Sequence, residues 1–160
     1  MRVAEAMWFG GEHALAGFVH HPDRPTGRGV LICPPFGYEV TCAYRTLRRL
    51  GDRLAASGNT VLRFDYEGTG GSAGTGIEAD QFERWIGSVV AGLEELRRRG
   101  AARPAIVGLR LGAALAAAAA ASEQDLGPIV LWEPVWSGRQ FYRELRAQTA
   151  ITAGGALGDG

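Results

Sequence analysis

The residues able to do chemistry are few, and the most conspicuous is an arginine. In "AIVGLRLGAALAA", Ala105 to Ala117, a short apolar run enters a Gly-x-x-x-Gly turn and continues into a helix-forming stretch, with Arg110 at the centre of the turn. A guanidinium stays protonated at physiological pH and has no lone pair with which to attack a carbonyl. At the start of a helix it would instead reinforce a spot that already favours anions, because unpaired amides and the helix dipole meet there. Its expected partner is a carboxylate or phosphate, on a ligand or on a side chain. Glu133 and Glu39 are the nearest candidates by topology. A loop-tying ion pair, a ligand contact and a catalytic contact all stay open for Arg110.

Other candidate nucleophiles read as structural. Ser72 closes a glycine-rich stretch that begins after Asp65, and such loops usually bind their own backbone. Asp65 is expected to organise that loop by accepting amide hydrogen bonds from the glycines that follow. Cys33 precedes two prolines with no histidine beside it in sequence, so it reads as a small buried hydrophobe. His20 and His21 adjoin Pro22 and Asp23 and read as a solvated loop, since two adjacent histidines without a third ligand do not make a metal site. "EGTGGSAGTG" lacks the lysine of a phosphate-binding loop, and nucleotide binding is not expected. No metal and no cofactor are implied.

The elements that must position these residues follow from periodicity. "AEAMWFG" and "ALAGFVHH" read as an antiparallel hairpin around Gly10-Gly11. "GVLICPP" is a continuous apolar run ended by prolines, the pattern of a strand buried on both faces. An amphipathic helix with Leu47, Leu50 and Leu54 on one face stops at Gly58. The cycle repeats through "TVLRFD", a helix capped by Asp80 with Phe82, Ile86, Val89, Val90 and Leu93 in one stripe, "PAIVGL", an alanine-rich helix, "GPIVLWEP" and the helix "SGRQFYRELRAQTA". Alternation of this kind builds a mostly parallel sheet between helix layers, with sites outside the carboxyl ends of the strands.

Composition narrows the function classes. The chain has 160 residues, 17 basic and 17 acidic, so no whole-chain field draws nucleic acid or an anionic membrane. Its longest apolar segment, Leu111 to Ala121, falls short of the roughly 20 residues that cross a bilayer. A cytoplasmic protein without a nucleic-acid or membrane partner is the expectation.

On these stretches the chain resembles the α/β-hydrolase superfamily, in the branch of serine aminopeptidase-like and acyl-esterase-like proteins. "GVLICPPFGYEVTCAYR" is similar to the strand and loop that supply an oxyanion-hole amide, "RFDYEGTGGS" to the family's Arg-x-Asp-x-x-Gly-x-Gly-x-Ser stretch, and "VGLRLGAALA" to the nucleophile elbow. "PPFGYE", "GLRLGA" and "WEPV" together resemble hydrolase-like proteins associated with bacterial exosortase and exopolysaccharide loci. The resemblance implies oxyanion-type donors at the amides of Leu111 and of Phe36 or Gly37. It also implies that Arg110 stands where the family carries serine, and that a histidine should follow, whereas His13, His20 and His21 all precede it. Trp132, Trp136, Phe141 and Tyr142 would border the acyl pocket by resemblance; by burial statistics they read as core and cap residues.

The expected architecture is α/β: a mostly parallel sheet with an N-terminal antiparallel hairpin in three α/β/α layers, an incomplete α/β-hydrolase fold. Residues 1–150 form a single truncated domain and 151–160 a glycine-rich flexible tail. The last strand, with Ile129, Val130 and Leu131, would lie at a sheet edge. The chain then reads as a fragment, unless the edge pairs with a second copy or the last helix covers it. The expected function is that of an acyl hydrolase family member acting on an ester, thioester or amide, without a complete triad in this chain. The alternative is a noncatalytic module that binds an anion or acyl group.

Overall fold

β1 (Glu5–Phe9) and β2 (Leu15–His20) form the expected hairpin, and four parallel strands follow it: β3 (Arg28–Cys33), β4 (Asn59–Phe64), β5 (Ala105–Leu109) and β6 (Ile129–Trp132). Helices α1 (Tyr38–Ala56), α2 (Gln81–Arg98) and α3 (Leu111–Ala120) connect the parallel strands, and α4 (Gly138–Gly155) comes last. The computed structural model describes residues 4–155, with side-chain surroundings for residues 4–147.

The sheet order is β1-β2-β4-β3-β5-β6. β2 runs antiparallel to β4, with Phe18 opposite Arg63, so the hairpin extends the parallel sheet at one side. β3 sits at the middle between β4 and β5, which explains why its apolar run does not alternate. Val30, Ile32 and Val61 face α1 and pack on Leu47. Leu31, Leu62, Ile106 and Leu115 face the opposite layer with Val89, Leu93 and Leu96 of α2. Ala113, Ala116 and Ala119 of α3 are fully buried, so the alanine run lets that helix lie close on the sheet.

Three readings change here. Phe82, expected in the α2 stripe, is exposed: it lies in the first turn of α2, whose buried residues begin only at Ser88. Asp80 precedes α2 but makes no side-chain cap; its carboxylate accepts from Arg84 Nε at 2.8 Å. α4 runs to Gly155, so helix takes in the first half of the segment read as a tail, Ile151 to Gly155, as a continuation of the turns before it despite the poor helix propensity of its two glycines. Residues 156–160 lie outside the described residues.

Candidate functional site

The parallel strands bring Pro34 to Glu39, Asp65 to Ser72, Arg110 and Glu133 to one edge of the sheet. At its centre is the turn between β5 and α3. Arg110 holds φ 57° and ψ −118°, a conformation that is strained for any residue with a Cβ. Two glycines permit the turn. A Cβ on Gly108 would lie 2.5 Å from the Ala113 Cα, and one on Gly112 would land on the carbonyl oxygens of Cys33 and Pro34. Gly112 therefore lets α3 start in contact with the loop that follows β3. The backbone fixes the turn from the other side: Arg110 N–H donates to the Trp132 carbonyl at 3.0 Å, and Val135 N–H donates to the Arg110 carbonyl at 3.3 Å.

The guanidinium meets carboxylates from three elements. Nε donates to Glu39 Oε1 at 3.0 Å and Nη2 to Glu144 Oε2 at 2.8 Å, while Nη1 is 3.9 Å from Glu133 Oε1. Burial disfavours its charge, yet its bonds to the carboxylates of Glu39 and Glu144, and their negative charge, outweigh that and hold its pKa above the ordinary arginine value. Glu133 is largely solvated, so the working pairs are Glu39 and Glu144. Glu144 was not among the residues singled out from sequence. Its only signal is its position three residues after Phe141, which turns both toward the same side of α4. Gln140 Nε2 donates to the other Glu144 oxygen at 3.1 Å and orients the carboxylate. Glu39 Oε2 is buried and has no hydrogen-bond partner among the described residues.

Gly37, at φ 64°, precedes α1, and Phe36 stacks on Trp85 with ring centroids 4.7 Å apart. Leu111 opens α3. The Phe36-Gly37 segment and the Leu111 amide thus stand at the ends of neighbouring strands, in register from Cys33 opposite Gly108. A groove of about 360 Å³ runs between Phe36, Gly37 and the Asp65–Gly70 loop. A second, of about 230 Å³, lies between Arg110, Trp136, Phe141 and Glu144.

Asp65 Oδ2 accepts from the Gly71 amide at 3.0 Å. Ser72 Oγ donates to the Asp65 carbonyl at 2.6 Å and accepts from the Ala16 amide at 2.9 Å, which ties the glycine loop to β2. Both sides of that hydroxyl face backbone, and no base adjoins it. Cys33 is fully buried, and burial raises its thiol pKa far beyond the physiological range, so it holds no thiolate.

Two readings are corrected. His20 is not in a solvated loop: it is buried at the end of β2, where Nδ1 donates to Asp52 Oδ1 at 2.8 Å and Nε2 accepts from Arg63 Nε at 2.9 Å. Gly51 of α1 makes the room, because a Cβ there would lie 2.7 Å from Nε2. His21 Nε2 donates instead to Glu5 at 2.7 Å. The carboxylate–imidazole pair has the parts of a catalytic base, but a guanidinium occupies the nitrogen that would take a proton. The core reading of the aromatic cluster also fails for three residues: Trp136 is 86% exposed, and Trp132 and Tyr142 are exposed as well, because the edge strand and α4 leave that side uncovered. Phe141 alone is buried. Among the described residues no group of three or more His, Cys, Asp or Glu could hold a metal ion, and no helix is long and apolar enough to cross a membrane.

An antiparallel hairpin leading into a parallel sheet, with a strained strand-turn-helix at the end of β5, defines an α/β-hydrolase-type fold. Residues 40–154 match the family described as "Serine aminopeptidase, S33", and the chain belongs to that family. Among solved structures it is similar to an esterase from Pyrococcus furiosus at 21% identity and TM-score 0.67, over 82% of this chain and 49% of that one. A proline iminopeptidase from Mycobacterium smegmatis matches at 19% identity and TM-score 0.68, over 90% and 50%. A serine hydrolase without a lid from Xanthomonas campestris matches at 23% identity and TM-score 0.62, over 74% and 56%. The chain thus spans about half the length of these structures. No curated protein matches it.

Proposed function

We propose that this chain is a member of the acyl hydrolase class, of the kind that acts on esters, thioesters or amides, in which Arg110 occupies the position of the serine nucleophile and no acyl-enzyme forms there. The observation that carries this reading is the pairing of Arg110 with Glu39 and Glu144 at a turn of elbow geometry. A guanidinium held between carboxylates cannot attack a carbonyl, and its Nε and Nη2 already donate to Glu39 and Glu144. The amides of Leu111 and of Phe36 or Gly37 keep the arrangement of an oxyanion hole, now beside an ion-paired arginine. Likeness of "PPFGYE", "GLRLGA" and "WEPV" to hydrolase-like proteins of exosortase and exopolysaccharide loci supports the same placement.

Hydrolysis of a p-nitrophenyl ester, an acyl thioester and an aminoacyl anilide by the purified chain tests the reading. The expected result is no turnover above buffer with wild type or with Arg110→Ala. Turnover by wild type that Arg110→Ala abolishes gives Arg110 a catalytic role; turnover that persists in the variant reveals another nucleophile. The first result defeats the proposal; the second keeps residue 110 out of the chemistry and places the hydrolase activity elsewhere in the chain.

A further inference from the structure

Arg63 is buried on the far side of the sheet from α2 and α3. It lies on the β4 face covered by α1, and only 8% of the residue is exposed. Stripping a guanidinium of water is costly, and proteins ordinarily match it with a carboxylate. No carboxylate of the described residues pairs with Arg63. Its Nε donates to the neutral imidazole of His20, whose other ring nitrogen donates to Asp52, so that carboxylate stands beyond the ring and makes no contact with the guanidinium. Phe18 and Tyr44 flank the guanidinium carbon at 5.4 and 5.5 Å, and both rings are partly exposed. Burial pulls the Arg63 pKa below its ordinary value; Tyr44 and Asp52 oppose the shift and Arg48 adds to it.

With Nε on His20 and the Tyr44 hydroxyl also acting on the guanidinium, the donors left to Arg63 are the remaining N–H groups of its terminal nitrogens. The residue lines a cavity of about 40 Å³ whose other walls include Ile32, Val40, Leu47 and Phe64. That space suits a carboxylate head, since one water takes about 30 Å³ in the liquid. We infer that Arg63 anchors the carboxylate of a small monocarboxylate with a flat apolar stem, the head on the guanidinium and the stem against Phe18 and Tyr44. The planar fork matches a carboxylate, and the two rings supply an apolar face beside it. Asp65 also lines the cavity; its carboxylate, held by the Gly71 amide, opposes any anion and disfavours a doubly charged phosphate more than a singly charged carboxylate. The site lies on the α1 side of the sheet and does not depend on what the Arg110 turn does.

Calorimetric titration of the purified chain with sodium benzoate, and with benzamide as its uncharged counterpart, tests this. Benzoate should bind wild type, with benzamide and Arg63→Gln each at least about tenfold weaker and Arg110→Ala unchanged. Should Arg63→Gln fail to fold, Val40→Phe serves instead: it fills the cavity from α1, leaves Arg63 in place and should remove benzoate binding from a folded protein. The proposal is overturned if wild type shows no benzoate binding up to about 10 mM. It is equally overturned if benzamide binds as well as benzoate, if Arg63→Gln or Val40→Phe binds like wild type, or if Arg110→Ala is the variant that loses binding.

Discussion

Arg110 Nη2 donates to Glu144 Oε2 at 2.8 Å, joining the turn after β5 to a helix residue 34 positions later in the chain. With Glu39 on Nε, the guanidinium ties α1, α3 and α4 together where the parallel strands end. Arg110→Ala removes these bonds and leaves the half-buried Glu39 unpaired, so it should cost about 1–3 kcal/mol in urea denaturation. Arg110→Gly loses the same bonds but suits φ 57°, and should recover about 1 kcal/mol or more of that loss. Glu144→Gln, at a more exposed position, should cost less than about 1 kcal/mol. An Arg110→Ala protein as stable as wild type would show that the ion pairs contribute nothing net.

The two kinds of helix glycine make opposite predictions. A Cβ on Gly112 meets the backbone carbonyl oxygens of Cys33 and Pro34, groups that cannot swing aside. Gly112→Ala should therefore cost about 3 kcal/mol or more and separate α3 from the loop after β3. Gly87, inside α2, faces open space: a Cβ added there would meet nothing within 4 Å. Gly87→Ala should raise stability by about 0.5–1 kcal/mol, since alanine is the better helix former. Thermal melts of the two variants side by side decide the matter, and equal effects would contradict the packing described for Gly112.

What the sequence made legible is what short-range rules encode. The uninterrupted run in β3, the stop at Gly58 and the Asp65–Ser72 loop follow from side-chain pattern and turn chemistry within a few residues. Arg110 at a strand-to-helix turn was likewise readable from Gly108 and Gly112. Glu144 was not, because its place beside Arg110 depends on how α4 crosses the strand ends. His20 was misread for the same reason. Its neighbours His21 and Pro22 look like loop, while its burial comes from β2 pairing with β4 and from Gly51 of α1 lying against the ring. Trp132 and Trp136 mislead in the other direction, since hydrophobicity alone cannot say which side of a sheet has a covering layer.

His20 gives a pH prediction. Burial lowers its pKa below the ordinary 6.5, against the opposing bond to Asp52, and the charges of Arg63 and Arg48 lower it further. The unfolded chain therefore binds a proton near pH 6.5 that the folded chain still refuses. Stability tied to this group is present above pH 6.5 and is lost as pH falls below it, by up to about 1.4 kcal/mol per pH unit. His20→Gln can keep both hydrogen bonds, to Asp52 and from Arg63, without titrating. Its stability should fall less steeply than that of wild type between about pH 7 and pH 5. Parallel pH profiles for the two proteins would remove His20 as the source.

The edge of the sheet supplies the last prediction. Among the described residues β6 pairs only with β5, and its four residues are all exposed, with Val130 at 51% and Trp132 at 48%, even with α4 in place. Its free backbone groups and uncharged Ile-Val-Leu-Trp sequence form a template that a second copy can join. At tens of micromolar the chain should therefore elute above its 17.0 kDa monomer mass and scatter light. Val130→Lys places a charge on the edge and should shift it toward monomer without loss of secondary structure, because Val130 contributes little buried area. A wild-type chain that stays monomeric and melts in one sharp transition over that range would mean that the edge is protected in some other way, and Val130→Lys should then change nothing.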